Sequence, residues 1–145
     1  MNSTEIVLQF LAFLAQVRAA FRQVHLFAEK SPALRTVSTA VIPVEVKPSD
    51  YADKGVTICV ALDAELRKPI DSERKSLGIS LLLRHTRGMW LAEAEIGWTG
   101  KKIGWNSFDS KEAQGKSIDE IMNTIPPMVE WMDRRFKEEV ARLPK

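Results

Sequence analysis

Apolar and polar residues alternate along three consecutive stretches of the chain within residues 77–108. The stretches read LGISLLLRHT, MWLAEAEIGW and KIGWNSF, and the short segments RG and TGK separate them. A period of two predicts β-strands, and short turns that contain glycine join strands that are antiparallel neighbours. These residues therefore predict an antiparallel meander, in which Ile103 and Trp105 continue the sheet after the second turn.

Two further strands are predicted before the meander. Residues 36–46 are rich in β-branched side chains, which favour strands. Pro43 places this segment at a sheet edge or interrupts it, because proline cannot donate a hydrogen bond to a neighbouring strand. After a loop over residues 48–55, residues 56–66 alternate between apolar and mixed side chains. The second segment therefore has one face for a core and one face for solvent.

A long amphipathic helix is predicted at the start of the sequence. Apolar residues recur every three or four positions over residues 6–27, after a capping-box pair formed by Asn2 and Glu5. The helix should end near Lys30, because Pro32 disfavours helical geometry at the residue before it.

A second amphipathic segment is predicted at the other end of the chain. Ser117 and Glu120 form another capping-box pair, and apolar residues then recur at helical spacing. Pro126 and Pro127 interrupt that spacing, because each removes a backbone donor and crowds the preceding turn. We expect a kink, or a short helix followed by a longer one over residues 126–143.

The order helix, about five antiparallel strands, helix predicts a two-layer α+β domain. Both helices should pack on the same face of the sheet, because the sheet has one apolar face to bury, and the other face is then left open. The length of 145 residues fits one domain, residues 1–145. The apolar and charged fractions, 45% and 28%, are those of a globular protein.

Net charge, the first apolar run and cysteine content indicate which kinds of partner and which cellular location to expect. The formal charge of +2 is small for a nucleic-acid-binding domain, so we expect no nucleic-acid partner. The apolar run near the start has Glu5 before it and Arg18 and Arg22 within its continuation, which argues against a signal peptide and a membrane span. The single cysteine, Cys59, cannot form an internal disulfide. We expect a cytoplasmic protein with no membrane partner.

Metal, cofactor and nucleophile motifs are not found at the required spacing. His25 and His85 have no partner histidine or cysteine at zinc spacing, and glycine patterns that bind phosphate do not occur. Cys59 and Ser80 lack the neighbouring residues that would activate a nucleophile. We therefore expect no cofactor, no metal and no enzymatic activity.

Paired carboxylates are the strongest enzymatic feature of the sequence. Glu93 and Glu95 lie two positions apart on one predicted strand, and Asp63 and Glu65 do so on another. Such pairs can divide the roles of acid and base when their environments differ. Alternation alone also places charged residues on a solvated sheet face, and this explanation is the simpler one.

The sheet face that the helices leave uncovered is the predicted contact surface for a protein partner. By alternation it carries acidic residues around a few apolar ones, a composition that suits a contact with a polar rim. The predicted partner-binding residues are Asp63, Glu65, Leu82, Arg84, Leu91, Glu93 and Glu95.

Residues 81–131 resemble the TriTu-type family of small bacterial immunity proteins. The matching features are the strand of residues 82–86, the turn glycine Gly88, the acidic strand with Glu93 and Glu95, the strand with Trp105, and the helix start Ser117-Ile118-Asp119-Glu120. The resemblance implies a cytosolic protein that binds and neutralises a cognate secreted toxin. It assigns no toxin-contacting residue to this chain.

Three functional hypotheses follow from these observations. The leading one is a non-enzymatic protein-binding domain, specifically a bacterial immunity protein. The second is a secretion chaperone or dimeric adaptor whose first and last helices pair with another chain, which leaves a homodimer open. The third is a small enzyme or ligand-binding domain that uses the Glu93 and Glu95 face.

Overall fold

A computed structural model of the chain describes residues 3–43 and 56–144. The elements in order are α1 (Ser3–Glu29), β1 (Leu34–Pro43), β2 (Val56–Leu66), β3 (Ser76–Thr86), β4 (Met89–Thr99), β5 (Trp105–Gly115), α2 (Ile118–Met122) and α3 (Ile125–Ala141). The strands form one antiparallel sheet in the order β1-β2-β3-β4-β5. The predicted α+β class with a five-stranded antiparallel sheet and a helix at each end is therefore confirmed.

The core lies between the helices and one face of the sheet. Every second residue of the central strands is buried on that face, and the apolar stripes of α1 and α3 are buried against it. Ala92 and Ala94 are fully buried, so β4 presents little bulk where the helices cover it. Phe27 of α1 and Phe136 of α3 meet edge to face with ring centroids 6.3 Å apart, which joins the two helices.

The tight turn between β3 and β4 confirms the meander predicted from glycine placement. Arg87 and Gly88 both have positive φ, 51° and 75°. Positive φ at both central residues is the geometry of the two-residue turn that matches the twist of an antiparallel pair. Glycine adopts it without steric cost, and at Arg87 the turn holds a side chain in this conformation.

The connection between β4 and β5 differs from the prediction at Ile103. This residue lies in the turn rather than in the sheet, and 67% of it is exposed. The Glu73 carboxylate accepts hydrogen bonds from the backbone N–H groups of Lys102 and Ile103 at 3.1 and 3.0 Å, which fixes the turn against the β2–β3 loop. Strand β5 begins at Trp105 and runs to Gly115, beyond the predicted end near Phe108.

The two C-terminal helices follow the capping and proline signals of the sequence. Ser117 Oγ accepts a hydrogen bond from the Glu120 backbone N–H at 3.3 Å, while the Glu120 carboxylate accepts one from the N–H of Lys116 rather than that of Ser117. The short helix α2 is followed by α3, whose first turn contains Pro126. Proline is tolerated there because its missing N–H has no helical partner. The predicted arrangement of a short helix before a longer one is confirmed.

Some predictions fall on residues outside the described part of the chain. They are the capping residue Asn2, the last three residues of the predicted strand 36–46, and the loop 48–55. Within the described part, the first strand starts at Leu34 and reaches Pro43, and α1 ends at Glu29 as expected from Pro32.

Helix α1 combines a buried stripe with an exposed apolar side. Phe13, Val17 and Phe21 are buried in the core, whereas Leu8 and Leu11 are each 56% exposed. Among the described helices, residues 4–29 are long and apolar enough to cross a membrane by length and composition, a test that core helices and signal sequences also pass.

Candidate functional site

The seven residues predicted to contact a partner lie on the sheet face opposite the helices. Strand register places them there, since each pairs across the sheet with other residues of the same face. We call this surface the open face; on strands β2 to β5 its acidic residues are Asp63, Glu65, Glu93, Glu95 and Glu112, its basic residue is Arg84, and its large apolar residues are Leu82, Leu91 and Trp105. The described helices all pack on the other face.

Register orders the open face into rows that run across the strands. One row pairs Thr57 with Arg84 and Arg84 with Leu91. The next pairs Leu82 with Glu93 and Glu93 with Glu112, so the carboxylates lie directly beside an apolar residue. Directly opposite residues have Cβ atoms about 4.5–5.5 Å apart, close enough for their side chains to interact.

Glu93 is the centre of a like-charge cluster. It faces Glu112 across the β4–β5 pair and lies two residues from Glu95 on the same strand. Burial first, and then the charge and hydrogen bonding of Glu95 and Glu112, raise the pKa of Glu93 from 4.5 to about 7. Three carboxylates in contact disfavour full ionisation, because like charges at this range repel and each loses solvent. The cluster therefore favours protonation of Glu93.

Trp105 belongs to the open face, although the sequence indicated only that it continues the sheet. Its Nε1 donates a hydrogen bond to the Glu95 carboxylate at 3.1 Å, and its side chain is 41% exposed. The ring lies over Gly78, where an added Cβ would approach Trp105 Cζ3 to 2.8 Å. A glycine on β3 thus makes room for the indole to lie on the sheet.

Glu112 is the other residue of this site that the sequence did not indicate. It lies on the part of β5 that was not predicted as a strand, within the run DSKEAQG. The sequence signal for Glu112 is that Ser110, Glu112 and Gln114 occupy every second position, as residues on one face of a strand do. That signal is weak, because these residue types have low intrinsic preference for strands.

Arg84 and Cys59 complete the centre of the open face. Arg84 Nε donates to Thr57 Oγ1 at 3.0 Å, which holds the guanidinium along the sheet near Leu91. Burial, followed by the charge of Glu95, raises the pKa of the Cys59 thiol to about 11. The thiol is therefore protonated at neutral pH, which makes Cys59 a poor nucleophile.

Asp63 and Glu65 lie at the end of the open face near Trp105. Burial raises the pKa of Asp63, a hydrogen bond from Ser76 opposes the rise, and the charge of Glu65 adds to it. Glu65 accepts a hydrogen bond from the Thr36 hydroxyl at 2.9 Å. These two carboxylates extend the negative surface across to β1.

The remaining candidate motifs have structural contacts in the described part of the chain. His25 lies between Thr39 and Glu29, with Nδ1 2.8 Å from Thr39 Oγ1 and Nε2 2.9 Å from the Glu29 carboxylate. In the β2–β3 loop, Arg67 donates to the backbone oxygen of Pro32, and Arg74 forms an ion pair with Asp71. Among the residues described, no group of three histidine, cysteine or acidic side chains is placed to hold a metal ion.

Comparison with known proteins gives no match: neither a family model, nor a curated protein, nor a solved structure matches this chain. Function is therefore inferred from the geometry of the open face.

Proposed function

We propose that this chain is a non-enzymatic protein-binding domain and that the open face is its contact surface. The observation that carries the proposal is the arrangement of Glu93, Glu95 and Glu112 beside Leu82 and Trp105 on the face opposite the helices. Surfaces that bind proteins often combine an apolar or aromatic centre with a charged rim.

Charge identifies the kind of partner surface that would fit. The carboxylate cluster around Glu93 lacks a basic side chain facing it in its own row, since Leu82 lies on one side and Glu112 on the other. A lysine or arginine from a partner would neutralise the repulsion and donate hydrogen bonds to the carboxylates. Complementary charge also accelerates association at low ionic strength. The partner should therefore carry a basic patch with an apolar residue beside it.

The finer proposal is a cytoplasmic bacterial immunity protein whose partner is a cognate secreted toxin. Its support is the resemblance of residues 81–131 to the TriTu-type family together with an acidic surface suited to blocking a basic one. Such a protein would occlude or distort the toxin by occupying its surface, and no residue of this chain would take part in chemistry.

Co-expression with the product of the adjacent gene tests both levels of the proposal. The expected result is a stable complex that survives purification and suppresses the toxicity of that product. Binding to a neighbour that has no toxic activity would contradict the immunity role alone. Failure of the chain to bind the product of an adjacent toxin gene would remove the immunity proposal.

Charge reversal on the open face tests the contact surface once a partner is in hand. Glu93→Lys should weaken binding by about 10-fold or more, because it replaces attraction to the basic patch by repulsion. Glu130→Lys is the matched control, since Glu130 is an exposed acidic residue on α3, on the other side of the sheet. Equal binding by both variants would show that the partner does not contact the open face.

A small enzyme is the second candidate, and the pKa of Glu93 is the observation that favours it. A carboxyl group with a pKa of about 7 can exchange protons at neutral pH, as a general acid or base must. A screen of hydrolytic substrates against the wild type and Glu93→Gln tests this role. Turnover that Glu93→Gln abolishes would favour the enzyme over the binding domain; turnover that survives in the variant would not involve Glu93.

A further inference from the structure

The two edges of the sheet differ in how they are protected against pairing with another strand. β5, at one edge, carries Asp109, Lys111 and Glu112 along its length. β1, at the other edge, carries no charged residue over positions 36–42, which read TVSTAVI. On its outer side β1 has no neighbouring strand among the residues that the structure describes.

An uncharged edge strand of this kind is unusual for a protein that stays monomeric. Edge strands expose backbone donors and acceptors, and natural proteins protect them with charges, prolines, bulges or covering elements. β1 has such devices only at its ends, where the register shifts between Leu34 and Thr36 and where Pro43 closes the strand. Within residues 3–43 and 56–144, the outer edge of its central residues is left without a strand partner and can pair with another strand.

Next to this edge, helix α1 presents exposed apolar and charged side chains. A groove of about 920 Å³ separates α1 from β1, and its lining includes Arg22, Leu26 and Val41. Leu26 and Val41 are 39% and 43% exposed. Arg22 is exposed at this groove, where its guanidinium can meet an acidic group of a partner.

We propose that β1 pairs antiparallel with β1 of a second copy of this chain, around a two-fold axis at Thr39. Thr39 is the central residue of the uncharged run, and its hydroxyl contacts His25 of α1 at 2.8 Å. An antiparallel pair of identical strands is symmetric about one residue pair, as a closed two-fold dimer requires. The two sheets then join into one continuous sheet.

The charges on α1 match this symmetry. Arg22 precedes His25 by three residues and Glu29 follows it by four, which places them about 4.5 and 6 Å along the helix on either side of the axis. A two-fold axis beside His25 brings Arg22 of each copy opposite Glu29 of the other, whose carboxylate also contacts His25 of its own copy at 2.9 Å. Two ion pairs between the copies, each formed by Arg22 and Glu29, then lie on either side of the axis. A second copy of the chain therefore supplies a charge complementary to that of each side chain.

The open face is not used in this dimer. Both copies carry their helices on the same side of the joined sheet, so the two acidic open faces lie side by side on the opposite side. The dimer and the proposed contact with a basic partner are therefore independent, and each has its own test.

Sedimentation velocity of the full chain at about 1–100 μM tests the dimer. The wild type should approach twice the monomer mass of 16.4 kDa at the upper concentration. Arg22→Glu should raise the dissociation constant at least about 10-fold by placing two acidic residues together, and Arg22→Glu combined with Glu29→Arg should restore it. Lys101→Glu, in the exposed β4–β5 turn, is the charge-matched control and should dimerise as the wild type does.

A cysteine placed on the axis gives a second readout that does not depend on charge. Directly opposite residues of an antiparallel pair lie about 4.5–5.5 Å apart at Cα, within reach of a disulfide. Thr39→Cys in a Cys59→Ser background should therefore form a covalent dimer on oxidation, whereas Ser110→Cys on β5 in the same background should not. Far-UV circular dichroism verifies that each variant is folded.

Three results would overturn the proposal. One is a wild-type mass of 16.4 kDa at every concentration. Another is a dimer that folded Arg22→Glu leaves unchanged, or that the double reversal fails to restore. The last is a folded Thr39→Cys variant that dimerises without forming the cross-link on oxidation.

Discussion

The dependence of folding stability on pH should report the Glu93 cluster. In the folded chain the pKa of Glu93 is raised from 4.5 to about 7, by burial first and by Glu95 and Glu112 next. In the unfolded chain these groups separate, and the pKa returns to its ordinary value. Between the two values the folded chain binds more protons than the unfolded chain, so stability falls as pH rises through this range. The stability contributed by protonated Glu93 is fully present below the lower value and lost above the upper one.

The size of the effect follows from the change in pKa and from the exposure of the side chain. A rise from 4.5 to about 7 corresponds to at most about 3–4 kcal/mol between the two protonation states. Glu93 is only partly buried, so solvent screening reduces this to about 1–2 kcal/mol. Glu93→Gln keeps the shape of the side chain and removes its ionisation. The variant should be about 1–2 kcal/mol more stable than the wild type near pH 8, and nearly equal to it near pH 4.5.

Urea unfolding at the two pH values measures this difference, and a carbon NMR titration of the Glu93 carboxyl measures its pKa directly. Glu130→Gln on α3 is the matched control, because Glu130 is exposed and lies away from the open face. The control should differ little from the wild type at either pH. A gain for Glu93→Gln that is the same at both pH values, or a carboxyl that titrates near 4.5, would refute this account of the cluster.

Two further predictions concern the packing that holds the open face in place. Phe136→Ala should lower the free energy of unfolding by about 3–5 kcal/mol, because the ring is fully buried between α1 and the sheet; urea unfolding measures it. Gly97→Ala should destabilise by about 1–3 kcal/mol in the same assay, because the added Cβ would collide with the Asn106 backbone oxygen on β5.

Exposed positions provide the controls for these two substitutions. Ile103→Ala removes a large apolar side chain that is 67% exposed, and it should change stability far less than Phe136→Ala. Ser110→Ala is a small change on β5 that introduces no backbone contact. Comparable losses at the control and test positions would contradict the packing argument.

The fold was predictable because its periodic signals agree with one another. On β3, Leu77, Ile79 and Leu81 recur every second residue and are buried, while the residues between them face away from the helices. On α1, Phe13 and Val17 recur at helical spacing and are likewise buried. The period of each segment therefore predicts both its conformation and its buried side, and both helices cover the one sheet face that is apolar.

The boundaries and contacts of the open face were less predictable, because they depend on partners distant in sequence. β5 continues past Phe108 because β4 offers a complete set of backbone partners, which outweighs the weak strand preference of the run that follows. Ile103 is apolar and yet exposed, since Glu73 of another loop fixes the turn around it. The contact of Glu93 with Glu112 depends on the register between β4 and β5, which alternation alone does not fix.

The like-charge cluster connects the stability of the chain with its proposed function. Glu93, Glu95 and Glu112 lower stability at neutral pH, and this cost would be offset when a partner supplies a cation. Glu93→Gln should therefore be more stable and bind more weakly, a trade-off expected where binding requires a strained charge arrangement. Glu130→Gln should change neither property. A Glu93→Gln variant that gains stability and still binds as tightly as the wild type would show that the cluster does not contribute to binding. The apolar residues Leu82 and Trp105 would then be the basis of the contact.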